Sequence, residues 1–308
     1  MDIVFFGSGK FALKGLEALV NAKHKISLVV TQPDKPQGRH LNYLPTEVKL
    51  KAEGLRLNIY QPQNPNEQEA FSALKQIPAD LFIVISYGHI LKCPILELPK
   101  IYPLNVHASL LPKYRGAAPI NRAIINGEKE TGISIIKMSD VMDAGDVLLQ
   151  KKIAISEEDN AETVEEKLGA LSAQSLIEAI NLIRDGRGEF IKQEEVDASF
   201  APRLEKHHGL IDWNKSSAEI ANQVRGLVPW PTAHTFYKGK LLKIWKVKIK
   251  NEEESGPGEI LEAVNGKLII GTAKGALEIL ELQLENGKRL RAEAFLCGHR
   301  LQAGERLG

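Results

Sequence analysis

Cysteine is nearly absent: Cys93 and Cys297 are the only two in 308 residues. Two thiols cannot build a disulfide framework, and the plain reading is a reducing compartment with two inert thiols. Long apolar runs are lacking too. Nowhere do 18 apolar residues follow one another, so no membrane-spanning helix is expected. The N-terminus, Met1 to Gly7, has no basic stretch and only a short apolar one. No signal peptide is therefore expected, and the chain reads as cytoplasmic. Charge of one sign is also missing: 40 Lys and Arg stand against 39 Asp and Glu, a formal +1. That excludes a protein coated in polyphosphate-binding charge, though not a local basic patch.

What is present is ordinary globular composition, 43% hydrophobic and 26% charged. It suffices for a full-sized core, and the length suggests about two domains. The first half alternates short apolar runs with helical spacing. Ile3–Phe6, Ile26–Thr31, Leu81–Ser86 and Ile101–His107 read as strands, as do Gly132–Met138 and Val147–Ile155. Lys10–Asn21 and Ala161–Ile183 carry apolar residues at helical intervals. Strands apolar on both faces, separated by helices, predict a Rossmann-like α/β domain with an open, mainly parallel sheet.

From about Glu189 to His208 the pattern gives way to a polar stretch, read as a linker over 190–208 between domains at 1–189 and 209–308. Beyond it comes one amphipathic helix, Ser217–Gly226. Short strands then follow at Leu241–Ile249, Gly258–Ala263, Lys267–Ile270, Leu277–Leu284 and Arg289–Ala294. The dipeptides Asn265-Gly266, Lys274-Gly275 and Asn286-Gly287 punctuate them. This texture suggests a small β-barrel, for which the OB-like type is one candidate.

Two segments carry possible chemistry. Gly7-Ser8-Gly9-Lys10-Phe11-Ala12 fits the loose dinucleotide fingerprint at a strand-to-helix turn. No ribose-binding acid closes the second strand, which ends Thr31-Gln32-Pro33. Such a turn needs glycine whether or not a nucleotide binds, so the structural reading is favoured. The run Asn105 to Gly116 is more informative. Asn105 and His107, two apart on a strand, share a face at its carboxyl end, where open α/β sheets place their ligand crevice. The loop Asp143-Ala144-Gly145-Asp146 follows a later strand and is expected to reach the same crevice. An amide donor, an imidazole and a carboxylate suit acyl transfer, in which an oxyanion must be stabilised and a proton moved. For His107 alone a structural role would be the better reading, and Asp143 alone reads as a turn residue.

The run Asn105–Asn121, with Asp143–Asp146, resembles the folate-dependent formyltransferases. The resemblance implies Asn105, His107 and Asp143 as the catalytic trio. It also implies Ser109, Leu110, Leu111 and Pro112 as folate-site residues, with Ser86, Tyr87 and Gly88 beside the pterin pocket. The formyl donor it implies is 10-formyltetrahydrofolate, with no metal. The resemblance is stronger still to those members of the family whose acceptor is the initiator tRNA charged with methionine. Gln32–Arg39 is similar to the start of their tRNA-entering loop. Gly209–Trp213 and Arg225–Pro231 are similar to their C-terminal tRNA-binding domain. Lys35, Arg39, Lys246 and Lys248 are the implied tRNA contacts; no membrane and no stable protein partner are expected. Members acting on sugar-nucleotide amines can carry a similar extra domain and stand as the alternative.

The charge distribution agrees with a nucleic-acid role. Residues 207–308 carry 15 Lys and Arg against 12 Asp and Glu, and residues 1–206 carry 25 against 27. Lys246, Lys248 and Lys250 alternate along one strand face, which a merely solvated edge would also show. His207-His208 and Cys297-Gly298-His299 lack a second ligand pair at zinc-like spacing and are not read as metal sites.

Overall fold

The computed structural model describes residues 1–37, 42–250 and 256–308. They divide into two compact units. The first comprises residues 1–116, 130–153 and 165–201, and the second 117–129, 154–164 and 202–308.

In chain order the first half holds β1 (Asp2–Gly7), α1 (Ala12–Asn21), β2 (Lys25–Val30), β3 (Lys35–Gln37), β4 (Asn42–Leu44), α2 (Glu47–Gly54) and β5 (Ile59–Tyr60). Then come α3 (Gln68–Lys75), β6 (Leu81–Ile85), α4 (Cys93–Leu96), β7 (Tyr102–His107), α5 (Pro119–Ile125), β8 (Glu130–Lys137), β9 (Val147–Ala154) and α6 (Ala161–Arg184). Seven strands form one sheet in the order β5-β2-β1-β6-β7-β8-β9. Pairing is parallel from β5 through β7 and antiparallel between β7 and β8. The parallel strands are buried on both faces: every residue of β6, and Ile3 to Phe6 of β1, is inaccessible or nearly so. This is the pattern expected of a sheet covered by helices.

The reversal at β8 matters for the site. Lys137 pairs with Leu104, and the Met138 N–H meets the Pro103 carbonyl. The loop after β8 therefore starts beside the beginning of β7, not beside its carboxyl end. It reaches Asn105 and His107 only by folding back.

The second unit contains α5, α7 (Ser217–Gly226), β10 (Ala233–Tyr237), β11 (Lys240–Lys250), β12 (Ile260–Val264), β13 (Lys267–Gly271), β14 (Ala276–Leu284), β15 (Leu290–Arg291) and α8 (Ala292–Gly298). A capping box opens α7: the Ser216 side chain accepts from the Glu219 N–H, and the Glu219 carboxylate accepts from the Ser216 N–H. The antiparallel order is β10-β11-β14-β13-β12, with β15 on β14. The C-terminal tail links the two ends of that order. Gly308 N–H donates to the Phe236 carbonyl of β10, and Ile260 N–H of β12 donates to the Glu305 carbonyl. The result is a small, closed OB-like domain around Trp213, Ile244, Leu277 and Phe295.

Two local expectations change. Arg289–Ala294 is not a strand throughout, because α8 begins at Ala292. Strand β10, whose His234 and Thr235 hide its apolar alternation, was not foreseen; its turn into β11 is Lys238-Gly239, both at positive φ. The stretch 190–208 is pinned rather than slack. Ile191 bridges Val147, Phe200 bridges Arg115, and residues up to 201 belong to the first unit.

Candidate active site

The centre of the site is Asp143. Its Oδ2 accepts from the Gly116 N–H at 2.8 Å and lies 3.5 Å from His107 Nδ1, while its Oδ1 accepts from Asn105 Nδ2 at 3.2 Å. All these residues belong to the first unit. The structure thus brings together the three side chains that the sequence singles out from segments 36 residues or more apart. Two features make the convergence possible. Asn105 and His107 share a face of β7, and Asp143 takes a left-handed backbone with φ +54°, a conformation Asp tolerates better than most residues.

His107 is buried, and its Nε2 donates to the Tyr114 carbonyl at 2.9 Å. Both ring nitrogens are therefore engaged. The 3.5 Å contact to Asp143 is the longer of the two, and long for a hydrogen bond. Asn105 has a second Nδ2 hydrogen with no acceptor among the described residues. It is the uncommitted donor of the trio.

The turn 114–116 is held from behind by residues 199–201. Tyr114 N–H donates to Ser199 Oγ at 2.9 Å, Arg115 N–H to the Ser199 carbonyl at 2.8 Å, and Ala201 N–H to the Arg115 carbonyl at 2.7 Å. Gly116 has φ +120°, and a Cβ there would lie 2.7 Å from the Ala201 carbonyl oxygen. Only glycine lets the chain pass so close and still present its N–H to Asp143.

The segment 109–112 is a turn held by its own Ser109 and by side chains of β8 and β9. Ser109 is buried, with Oγ donating to the Lys113 carbonyl, and Leu111 N–H donates to Ser134 Oγ. Gln150 Nε2 donates to the Leu111 carbonyl at 2.7 Å. Of the four residues, Leu110 and Pro112 keep accessible surface. At the end of β6, Ser86 and Gly88 are exposed, with φ +46° and +82°. Tyr87 between them is 2% exposed and packs edge-on to Phe6 in the core. Its hydroxyl has no hydrogen-bond partner among the described residues, and burial pushes its pKa above the ordinary tyrosine value.

The expected tRNA contacts are distributed more widely. Lys246 and Lys248 are exposed on β11 and register against Glu281 and Glu278. Those carboxylates are occupied by Arg289 and Lys250. Lys35 is exposed and donates to Gln32 Oε1. Nearby Lys49 and Lys51 are paired with Asp34 and Glu17. Arg39 lies outside the described residues.

Sequence reasoning missed Arg115, Gln193 and Glu195. Arg115 is 3% exposed and donates to both other side chains. Its place inside the 105–116 run was the available signal; nothing local marked Gln193.

Comparison with known proteins fits this architecture. Residues 1–180 match the family model described as formyl transferase, and residues 203–300 match that described as formyl transferase, C-terminal domain. The methionyl-tRNA formyltransferase of Pelotomaculum thermopropionicum is 42% identical, covering 100% of this chain and 99% of the relative. That of Thermodesulfovibrio yellowstonii is 44% identical, covering 98% and 97%. Among solved structures, the sugar 3N-formyl transferase WlaRD, crystallised with dTDP and 5-N-formyl-THF, aligns with a TM-score of 0.70 at 22% identity, covering 94% of this chain and 99% of that one. HypX from Aquifex aeolicus in complex with tetrahydrofolic acid aligns at 0.65 and 18% identity, over 96% of this chain and 46% of that one. At such identities the likeness is one of fold. The full-length matches go further: the chain belongs to the methionyl-tRNA formyltransferase family.

Proposed function

We propose that the chain transfers the formyl group of 10-formyltetrahydrofolate to the free α-amine of methionine esterified to initiator tRNA, giving N-formylmethionyl-tRNA. The observation that carries this reading is similarity of 39–44% identity, end to end, to enzymes of that name. The convergence of Asn105 and His107 on Asp143 supports it. The alternative acceptor, a sugar-nucleotide amine, rests on fold likeness at 16–22% identity alone.

The formyl donor supplies a carbonyl carbon already activated on a weakly basic nitrogen. The chain's own residues then do the rest. Asn105 directs its uncommitted Nδ2 hydrogen at the oxygen on which negative charge gathers as the amine adds. Asp143 stands ready to take the amine's proton and to hand it to the donor nitrogen as the formyl carbon–nitrogen bond to the folate breaks, releasing tetrahydrofolate. His107, anchored through Nε2 on Tyr114, acts as the doubly protonated ring: its Nδ1–H steadies the carboxylate and reaches the oxygen by exchanging its long contact with Asp143. Apo contacts of this length commonly tighten or exchange in the reactive complex.

The folate is assigned to the loop after β6 and to the segment 109–112. Ser86 and Gly88 expose main-chain groups in left-handed turns, and Ile90, Val141 and Met142 are exposed apolar side chains flanking the two loops. Ser86, Gly88, Leu110 and Pro112 are the residues assigned to hold it. Among the described residues no group of three or more His, Cys, Asp or Glu could hold a metal ion. No described helix is long and apolar enough to cross a membrane.

We assign tRNA contacts to Lys35, Arg39, Lys246 and Lys248. Replacing Lys246 and Lys248 by Ala should weaken tRNA binding and make its logarithmic salt dependence shallower, by about 0.7–0.9 for each phosphate that is no longer neutralised. An unchanged slope removes that strand from the interface. The reaction itself is tested by formyl transfer from 10-formyltetrahydrofolate to methionyl-initiator tRNA, with uncharged tRNA as control. Transfer to the charged species alone establishes the acceptor. Folate binding without transfer moves the acceptor to a small amine.

A further inference from the structure

Behind Asp143 lies a second layer of polar side chains that the reaction does not touch. Gln193 sits in the polar stretch after α6 and is 6% exposed. Its Oε1 accepts from Arg115 Nε at 3.1 Å and Nη2 at 2.9 Å. A guanidinium only donates, so Arg115 dictates which end of the amide is oxygen. The Nε2 hydrogens therefore point the other way, to the main-chain carbonyls of Asp143 at 2.8 Å and Gly145 at 2.7 Å. Arg115 is in turn gripped fork to fork by Glu195, with contacts of 2.9 and 2.8 Å. A charge so deeply buried needs such a partner. The guanidinium holds the Glu195 carboxyl below the usual range.

The opposite side of the catalytic loop is also fixed. A Cβ on Gly145 would overlap the Lys137 carbonyl oxygen, and Lys137 N–H donates to the Asp146 carbonyl at 2.9 Å. Between these two anchors Asp143 holds φ +54°, a conformation a non-glycine residue keeps only when its surroundings impose it.

We infer that Gln193, oriented by Arg115 and Glu195, is a positioning residue for Asp143: it fixes the main chain of the catalytic loop so that the carboxylate meets Asn105, His107 and Gly116. The inference rests on the reading of Asp143 as catalytic and deepens it. The loop begins beside the start of β7 and must fold back to reach Asn105 and His107. Without the Gln193 clamp, the Asp143 main chain would be held only from the Asp146 side and through the contacts of its own carboxylate. A displacement of about 1 Å at such a group costs on the order of 100-fold in rate.

The experiment is a double-mutant cycle on steady-state formyl transfer, with Gln193→Met and Asp143→Ala made separately and together. Methionine keeps the length of the side chain and removes both donors and the acceptor. Gln193→Met should lower kcat by roughly 10- to 100-fold while the KM values for folate and tRNA stay put. In the Asp143→Ala background it should cost nothing further, because the group it positions is gone. Wild-type kcat in Gln193→Met, or the same loss in both backgrounds, overturns the inference. Wild-type kcat in Asp143→Ala would instead sink the assignment of the trio, so the two failures are distinguishable.

Should Gln193→Met fail to fold, Glu195→Gln takes its place. That carboxylate is 72% exposed and its loss should loosen Arg115, with a smaller fall in kcat that again vanishes in the Asp143→Ala background. If residual turnover of Asp143→Ala is too low to compare, the ring nitrogen shifts of 15N-labelled His107 give the readout. In Gln193→Met they should move toward those of Asp143→Ala; shifts identical to wild type overturn the positioning role.

Discussion

Two loops leave the carboxyl ends of parallel strands in the first unit, and the chain uses them in opposite ways. After β1, the turn Gly7–Ala12 is closed by packing. A Cβ on Gly7 would lie 2.7 Å from Phe5 Cε1 and 3.1 Å from the Ile85 carbonyl oxygen, whereas one on Gly9 would meet nothing within 4 Å. Ser8 spends its hydroxyl on the Tyr87 carbonyl, tying one loop to the next. After β7, the chain instead gathers an amide, an imidazole, a main-chain N–H and a carboxylate around one point. Both loops occupy the position where α/β sheets bind ligands. Position alone does not make a site. The β7 loop becomes one because a charged group arrives from elsewhere in the chain and because one donor, on Asn105, is left over.

That contrast predicts a steep hierarchy of effects. The largest is at Asn105. Removing one oxyanion donor is commonly worth about 3 kcal/mol, so Asn105→Ala should slow turnover by ~100-fold. tRNA affinity should be untouched, since the side chain lies within the Asp143 cluster. Turnover close to wild type would take Asn105 out of the mechanism and erase the difference between the loops.

The β1 loop should respond in stability rather than rate. Gly7→Ala forces a methyl group into packed surroundings, and such overpacking typically costs about 1–3 kcal/mol, readable as a lower urea midpoint. Gly9→Ala points into open space and should stay within about 0.5 kcal/mol of wild type. A nicotinamide dinucleotide should leave the Tm unchanged. A dinucleotide that raises the Tm, with the rise abolished by Gly9→Ala, would show a second binding loop and break the comparison.

Much of this was legible from residues alone, and for physical reasons. Strands such as β1 and β6 are apolar on both faces, so their burial is written in local composition. Asn105 and His107 are two apart, and strand periodicity puts them on one face. The direction of β8 was not legible. It depends on pairing with β7, and Glu130–Lys137 reads the same in either direction. Nor was Gln193, which sits among Lys192, Glu194 and Glu195 in a stretch that looks solvated. Its partners Arg115 and Asp143 are 78 and 50 residues away in sequence. Its role exists only once residues 190–201 return to the first unit. Local pattern carries the elements and the chemistry of single faces; it does not carry the long-range hydrogen bonds that hold the Asp143 loop still.

The smallest effect, and the sharpest test of where the site ends, concerns Tyr87, which lies after β6 between the two loops. Family resemblance puts it beside the pterin pocket, yet its ring is packed against Phe6 in a core cluster that also holds Phe82, and its hydroxyl has no partner among the described residues. Tyr87→Phe removes a buried hydroxyl that makes no hydrogen bond among the described residues, so stability at neutral pH should stay level or rise slightly. The pH dependence has a definite sign. Burial raises the folded pKa above the unfolded value of 10.0. Below pH 10 both states hold the proton and the group adds no slope. Above it the unfolded chain releases the proton while the folded chain keeps it, so wild-type stability falls as pH rises. Tyr87→Phe should lose that part of the alkaline decline, as seen in urea midpoints measured from neutral to strongly alkaline pH. The KM for folate should not move, because the hydroxyl faces the core. A several-fold rise in that KM would instead place the Tyr87 hydroxyl on the ligand, and the β6 loop would then join the β7 loop as a working part of the site.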